Sequence, residues 1–176
     1  MRPTCPKCFG ERKAPHDRHF LNLHPSRMDV LGQCLPPRKM ENMTNTYRRA
    51  LTIAGSDPSG GAGIQADLKT FSALGCYGMS AIVAVVDENT VGVTGVHPVP
   101  VDFVTGQIHS CLDDIGADAI KIGMLHSAEL IRAVRQTLDQ YPEITNIVLD
   151  PVMVATSGDP LLEADAVATL REVLIP

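Results

Sequence analysis

Ala50-Leu51-Thr52-Ile53-Ala54-Gly55-Ser56-Asp57-Pro58-Ser59-Gly60-Gly61-Ala62-Gly63-Ile64-Gln65-Ala66-Asp67-Leu68-Lys69-Thr70-Phe71 is the stretch that decides the fold. It opens with a short apolar run closed by glycine, the pattern of a buried strand. Past the glycines, Ile64, Leu68, Phe71 and Leu74 recur at spacings of three and four, which puts them on one helix face. A buried strand, a glycine-rich turn and an amphipathic helix make the opening unit of an α/β protein.

The alternation continues downstream. Ser80–Val86 is a second apolar run, and Phe103, Val104, Ile108, Leu112 and Ile115 form a second helix stripe. Ala119–Ile122 predicts a third strand, and Leu130, Ile131, Val134 and Leu138 a third helix. Asn146–Leu149 predicts a fourth strand, with a last helix through Val167, Leu170 and Val173. Four alternations with near-continuous Val/Ile/Ala strands predict a parallel sheet with helices on both faces. A further strand is due after the last helix, so the fold is expected to be truncated on its C-terminal side.

Upstream the texture differs. Residues 1–49 hold 10 of the 15 Lys/Arg and 4 of the 20 Asp/Glu, so they carry +6 while the rest carries −11. Residues 1–47 contain six of the 13 prolines and no apolar periodicity, and are expected to be a disordered basic leader ahead of a domain over 48–176. Cys5 and Cys8, with His16, His19, His24 and Cys34, raise the alternative of a zinc site. A zinc knuckle normally has a second close ligand pair, which is lacking here. The acidic remainder is a poor nucleic-acid binder. An odd count of five cysteines argues against a secreted disulfide scaffold, and no run of about 18 apolar residues suits a membrane span. A cytoplasmic protein is expected.

Chemistry is sought at the carboxyl ends of the strands, where open α/β sheets bind ligands. The Gly55–Gly63 loop runs into a helix whose N-terminal N–H groups are expected to be free for a ligand. It is no P-loop, because Gly61 stands where that motif needs Lys. A dinucleotide fingerprint fits Gly61-x-Gly63-x-x-Ala66 with Asp87/Glu88 further on, but the spacing from Gly55 is too long for its tight turn.

Taken whole, residues 50–71 resemble the opening of hydroxymethylpyrimidine/phosphomethylpyrimidine kinases of the ribokinase-like superfamily. Further motifs follow in order: Leu74-Gly75-Cys76-Tyr77-Gly78, Asn89-Thr90-x-Gly92-Val93, Lys121-Ile122-Gly123-Met124-Leu125, Leu149-Asp150-Pro151-Val152-Met153 and Ser157-Gly158-Asp159. The resemblance implies ATP- and Mg²⁺-dependent phosphorylation of a small pyrimidine, 4-amino-5-hydroxymethyl-2-methylpyrimidine, and of its monophosphate in thiamine biosynthesis. It is compatible with a homodimer. It implies that Gly55, Asp67, Glu88, Met124 and Val152 line the pyrimidine pocket and that Asp150 serves Mg²⁺ and the triphosphate. Lys121 is read as a strand-end charge without a role.

Two departures stand out. Glu88 occupies a position where the family usually has Gln, and an ionised carboxylate only accepts hydrogen bonds where an amide also donates. The family's later half, with its Gly-Thr-Gly-Cys anion hole and most of the ATP site, has no counterpart, so no catalytic residue is assigned within this chain. The chain alone is expected to be inactive; a substrate-binding fragment or a pyridoxal-type kinase are the alternatives.

Overall fold

In the computed structural model, residues 47–153, 158, 161–163 and 165–175 are described. The leader and zinc readings of residues 1–46, and most of the Ser157–Asp159 motif, lie outside them. The elements are β1 (Arg49–Ala54), α1 (Gly63–Ala73), β2 (Tyr77–Ile82), β3 (Ala84–Glu88), β4 (Val93–Pro98), α2 (Val101–Asp114), β5 (Ala119–Ile122), α3 (Ala128–Leu138), β6 (Ile147–Leu149) and α4 (Ala166–Val173).

Four strands form a parallel sheet in the order β2-β1-β5-β6. Leu51 pairs with Ile120 and Ile53 with Ile122, while Thr52 pairs with Lys121. Because side chains alternate along a strand, this register fixes two different faces. On one face Leu51, Ile53, Met79, Ala81, Ile120 and Ile122 pack with Val104, Ile108 and Leu112 of α2 and with Leu130, Ile131 and Val134 of α3. The other face carries Thr52 and Lys121 and is covered by α1, where a side-chain carbon on Gly78 would meet Leu68 at 3.0 Å. The expected parallel sheet with helices on both faces is present.

The run Ser80–Val86 is not one strand. β2 loses its partner where β1 ends, with Ile82 opposite Ala54. The chain then turns at Val83, and β3 pairs antiparallel with β4 in a separate two-stranded sheet. The strict strand–helix alternation is therefore interrupted by a hairpin that sequence periodicity missed. Ala81, Val83, Ala84 and Val86 are all buried, so the apolar run continues across the break and conceals it. Two stripe residues are also exposed: Leu74 lies beyond the end of α1, and Phe103 faces solvent in the first turn of α2.

Candidate functional site

β1 is flanked by β2 on one side and β5 on the other, so the connections leave it in opposite directions. The gap between β1 and β5 at their carboxyl ends is the topological switch point, where such sheets bind ligands. A cavity of about 390 Å³ opens there, lined by Gly55, Ser56, Gly61–Gly63, Asp67, Val86, Glu88, Lys121, Met124, Asp150 and Val152, among others. Gly55, Asp67, Glu88, Met124, Val152 and Asp150, scattered over 98 positions of sequence, all reach this one space. A larger groove of about 910 Å³ runs past the N-terminal ends of α2 and α3, but it is more open and lies away from these residues.

Each wall has a local cause. A side-chain carbon on Gly55 would sit 2.8 Å from Met124 Cε, so the glycine lets the methionine fill the floor. Alternation in β3 turns Val86 and Glu88 inward while Val85 and Asp87 face out. Burial and the nearby Asp57 carboxylate push the Glu88 carboxyl above its ordinary range. Thr52 Oγ1 donates to Asp67 Oδ2 at 2.6 Å, and Lys121 Nζ reaches the same oxygen at 3.1 Å. Asp150 follows β6, where its N–H donates to the Ile122 carbonyl; its carboxylate is exposed, 3.7 Å from Lys121 Nζ.

The glycine loop differs from expectation. Several of its N–H groups are already taken: Asp57, 3% exposed, accepts from the N–H of Ser59, Gly61 and Ala62. Burial raises the Asp57 carboxyl, but these bonds and the Ser59 hydroxyl outweigh it and hold the group below its ordinary range. The loop shapes a wall of the cavity. Gly63 has φ +56°, and a side-chain carbon there would fall 2.5 Å from the Gly55 carbonyl oxygen. Sequence reasoning gave Asp57 no role and read Lys121 only as a strand-end charge. The i to i+2 bond from Ser59 N–H to Asp57 is an Asx turn, which Asp-Pro-Ser-Gly already signals. Lys121 had no such local sign.

No group of three or more His, Cys, Asp or Glu able to hold a metal occurs among the described residues. A lone exposed carboxylate such as Asp150 fits a hard cation that keeps its water and phosphate ligands, as Mg²⁺ does. It does not fit a caged structural ion.

Fold and cavity together match small-molecule kinases of the ribokinase-like fold. A solved phosphomethylpyrimidine kinase from Clostridium difficile 630 is 48% identical, with a TM-score of 0.68 over 73% of this chain and 55% of that one. A pyridoxal kinase from Bacillus subtilis, solved with ADP, is 42% identical with a TM-score of 0.64 over 73% and 49% of the two chains. Among curated relatives, the hydroxymethylpyrimidine/phosphomethylpyrimidine kinase of Escherichia coli K12 is 58% identical over 127 residues, 72% of this chain and 47% of the relative. The phosphomethylpyrimidine kinase family matches residues 57–176, and the chain belongs to that family. It spans about half the length of the curated relatives it matches.

Proposed function

We propose that the switch-point cavity binds 4-amino-5-hydroxymethyl-2-methylpyrimidine and its monophosphate, as the substrate-recognising part of an ATP- and Mg²⁺-dependent kinase of thiamine biosynthesis. The convergence of Gly55, Asp67, Glu88, Met124, Val152 and Asp150 on one enclosed space carries this reading. Met124 and Val152 offer apolar surface to the ring faces, and Gly55 leaves room beside them. Asp67 and Glu88 offer polar groups to the ring edge and its substituents. The γ-phosphoryl group passes from ATP, which leaves as ADP, to the substrate's hydroxymethyl oxygen with loss of its proton, or to a phosphate oxygen of the monophosphate; Mg²⁺ would offset charge on the phosphates. Asp150 is the residue on this chain that would hold that ion.

Identity is higher to the pyrimidine kinase of E. coli, 58%, than to the pyridoxal kinase of B. subtilis, 42%, which favours the pyrimidine. A cytoplasmic setting suits the thiols of Cys76 and Cys111, which are free. No helix among the described residues is long and apolar enough to cross a membrane. Assembly as a homodimer belongs to the same reading.

Titration calorimetry of the chain with the hydroxymethylpyrimidine and, separately, with pyridoxal tests the proposal. Pyrimidine binding that is lost in Met124→Asp is expected. Tighter binding of pyridoxal, or pyrimidine binding indifferent to Met124→Asp, overturns it.

A further inference from the structure

Lys121 is the only cationic side chain lining the cavity among the described residues, and it lies against the carboxylates of Asp67 and Asp150 there. Its position follows from register. Pairing with Thr52 puts Lys121 on the face that α1 covers, so its ammonium meets Asp67 where that residue comes down from the helix. The two carboxylates it touches are held very differently. Asp67 is 17% exposed, and its Oδ2 receives both the Thr52 hydroxyl at 2.6 Å and Lys121 Nζ at 3.1 Å. Asp150 is 57% exposed and lies 3.7 Å from the same Nζ, an ionic contact longer than a hydrogen bond. Neither carboxylate of this pair has another cation beside it among the described ion pairs.

We propose that Lys121 is a positioning residue that pins Asp67 for the substrate and competes with an incoming divalent cation for Asp150. The proposal rests on the reading of Asp67 and Asp150 as substrate-side and cation-side groups. A half-buried ammonium hydrogen-bonded to a half-buried carboxylate holds that carboxylate in one orientation. An exposed pair at 3.7 Å contributes little and exchanges readily. A divalent ion that takes Asp150 therefore displaces only the weak contact, and leaves the charge of Lys121 to Asp67 alone. One side chain thereby links the two halves of the cavity.

The competition gives the test an unusual sign. The full chain and its Lys121→Met and Lys121→Arg variants are titrated with Mn²⁺ alone, followed by electron paramagnetic resonance, and with the hydroxymethylpyrimidine, followed by calorimetry. Lys121→Met is expected to bind Mn²⁺ about three- to tenfold more tightly, because a positive competitor has gone. The same variant is expected to bind the pyrimidine about tenfold more weakly, because Asp67 loses a charged donor. Lys121→Arg keeps the charge and is expected to stay within about threefold of the parent on both. The Mn²⁺ gain must vanish when Asp150→Asn is added to Lys121→Met. A merely structural lysine would weaken both ligands together, and that outcome, or an unchanged Mn²⁺ affinity, overturns the proposal. Lys121→Gln replaces Lys121→Met if the latter does not fold. Should the parent chain bind no pyrimidine at all, the proposed function falls, while the Mn²⁺ arm still decides the competition.

Discussion

The Gly55–Gly63 loop and strand β6 border the same cavity and are built in opposite ways. In the loop, one carboxylate, Asp57, takes three backbone N–H groups and is itself 3% exposed. Along β6, Ile147 and Val148 are 44% and 62% exposed, although parallel strands are normally covered on both faces. The Asp150 carboxylate beyond it has one ion-pair contact, to Lys121 at 3.7 Å. The contrast teaches where rigidity resides. The glycine-loop wall is held by bonds within the loop, whereas the Asp150 carboxylate is held by one loose contact that a ligand can replace.

The sharpest way to break this contrast is Gly63→Ala. Its φ of +56° is costly for any side chain, and the new carbon would lie 2.5 Å from a backbone oxygen that has little freedom to retreat. A loss of about 3 kcal/mol is expected, measured by urea unfolding. A loss below about 1 kcal/mol would mean that the loop is not rigid.

Asp57→Asn comes next. A single amide oxygen cannot replace two carboxylate oxygens serving three N–H groups, so a loss of about 2 kcal/mol is expected in the same assay at neutral pH. The pH dependence has a definite sign. The Asp57 carboxyl is held below its ordinary 3.8 in the folded state, so its contribution is full above that value and fades as pH falls through the lowered one. The Asn variant should therefore approach the parent in stability under acid, and a constant gap down to the lowest pH at which both fold would contradict the clamp.

Glu88→Gln probes the proposed reading of the pyrimidine edge by the neighbouring strand β3. A neutral aminopyrimidine presents a donor beside an acceptor, which an amide matches at once and an ionised carboxylate does not. Near neutral pH the Gln variant is expected to bind the pyrimidine roughly tenfold more tightly, with a flatter pH profile. Burial and Asp57 raise the Glu88 carboxyl, so the parent's affinity should improve as pH falls and this group gains its proton. Matching affinities with matching profiles would mean that Glu88 does not face the ring.

The smallest effect belongs to β6. Val148→Lys alters a side chain already 62% exposed, so stability should change by no more than about 0.5 kcal/mol. Sedimentation should instead register reduced self-association, since a charge blunts an exposed apolar edge. A large loss of stability would show that Val148 is covered in solution.

Much of this was legible in the residues. The period of Ile64, Leu68 and Phe71 placed α1, and the apolar run from Ala50 placed β1, because burial of one helix face and of a whole strand leaves a pattern in the chain itself. The β3–β4 hairpin was not legible, since Ala81, Val83, Ala84 and Val86 are buried on both sides of the break. What ended β2 was the loss of a partner at Ala54, a fact about a neighbouring strand rather than about the run. The six candidate site residues were reached through ordered motifs. Their meeting in one cavity required the strand order that sets β1 beside β5.

The sequence by itself determined the class of fold, the family and the position of the glycine loop, because periodicity and local turn chemistry act between residues close along the chain. The tertiary structure alone decided that Asp57 closes the loop on itself and that Lys121 stands between Asp67 and Asp150. For Asp57 the turn was visible, but the orientation of the Gly61 and Ala62 N–H groups toward it depends on the positive φ of Gly60. For Lys121 nothing local sufficed. Its partner lies 54 residues away on α1, and only the pairing of Lys121 with Thr52 turns an ordinary strand lysine toward the switch-point cavity.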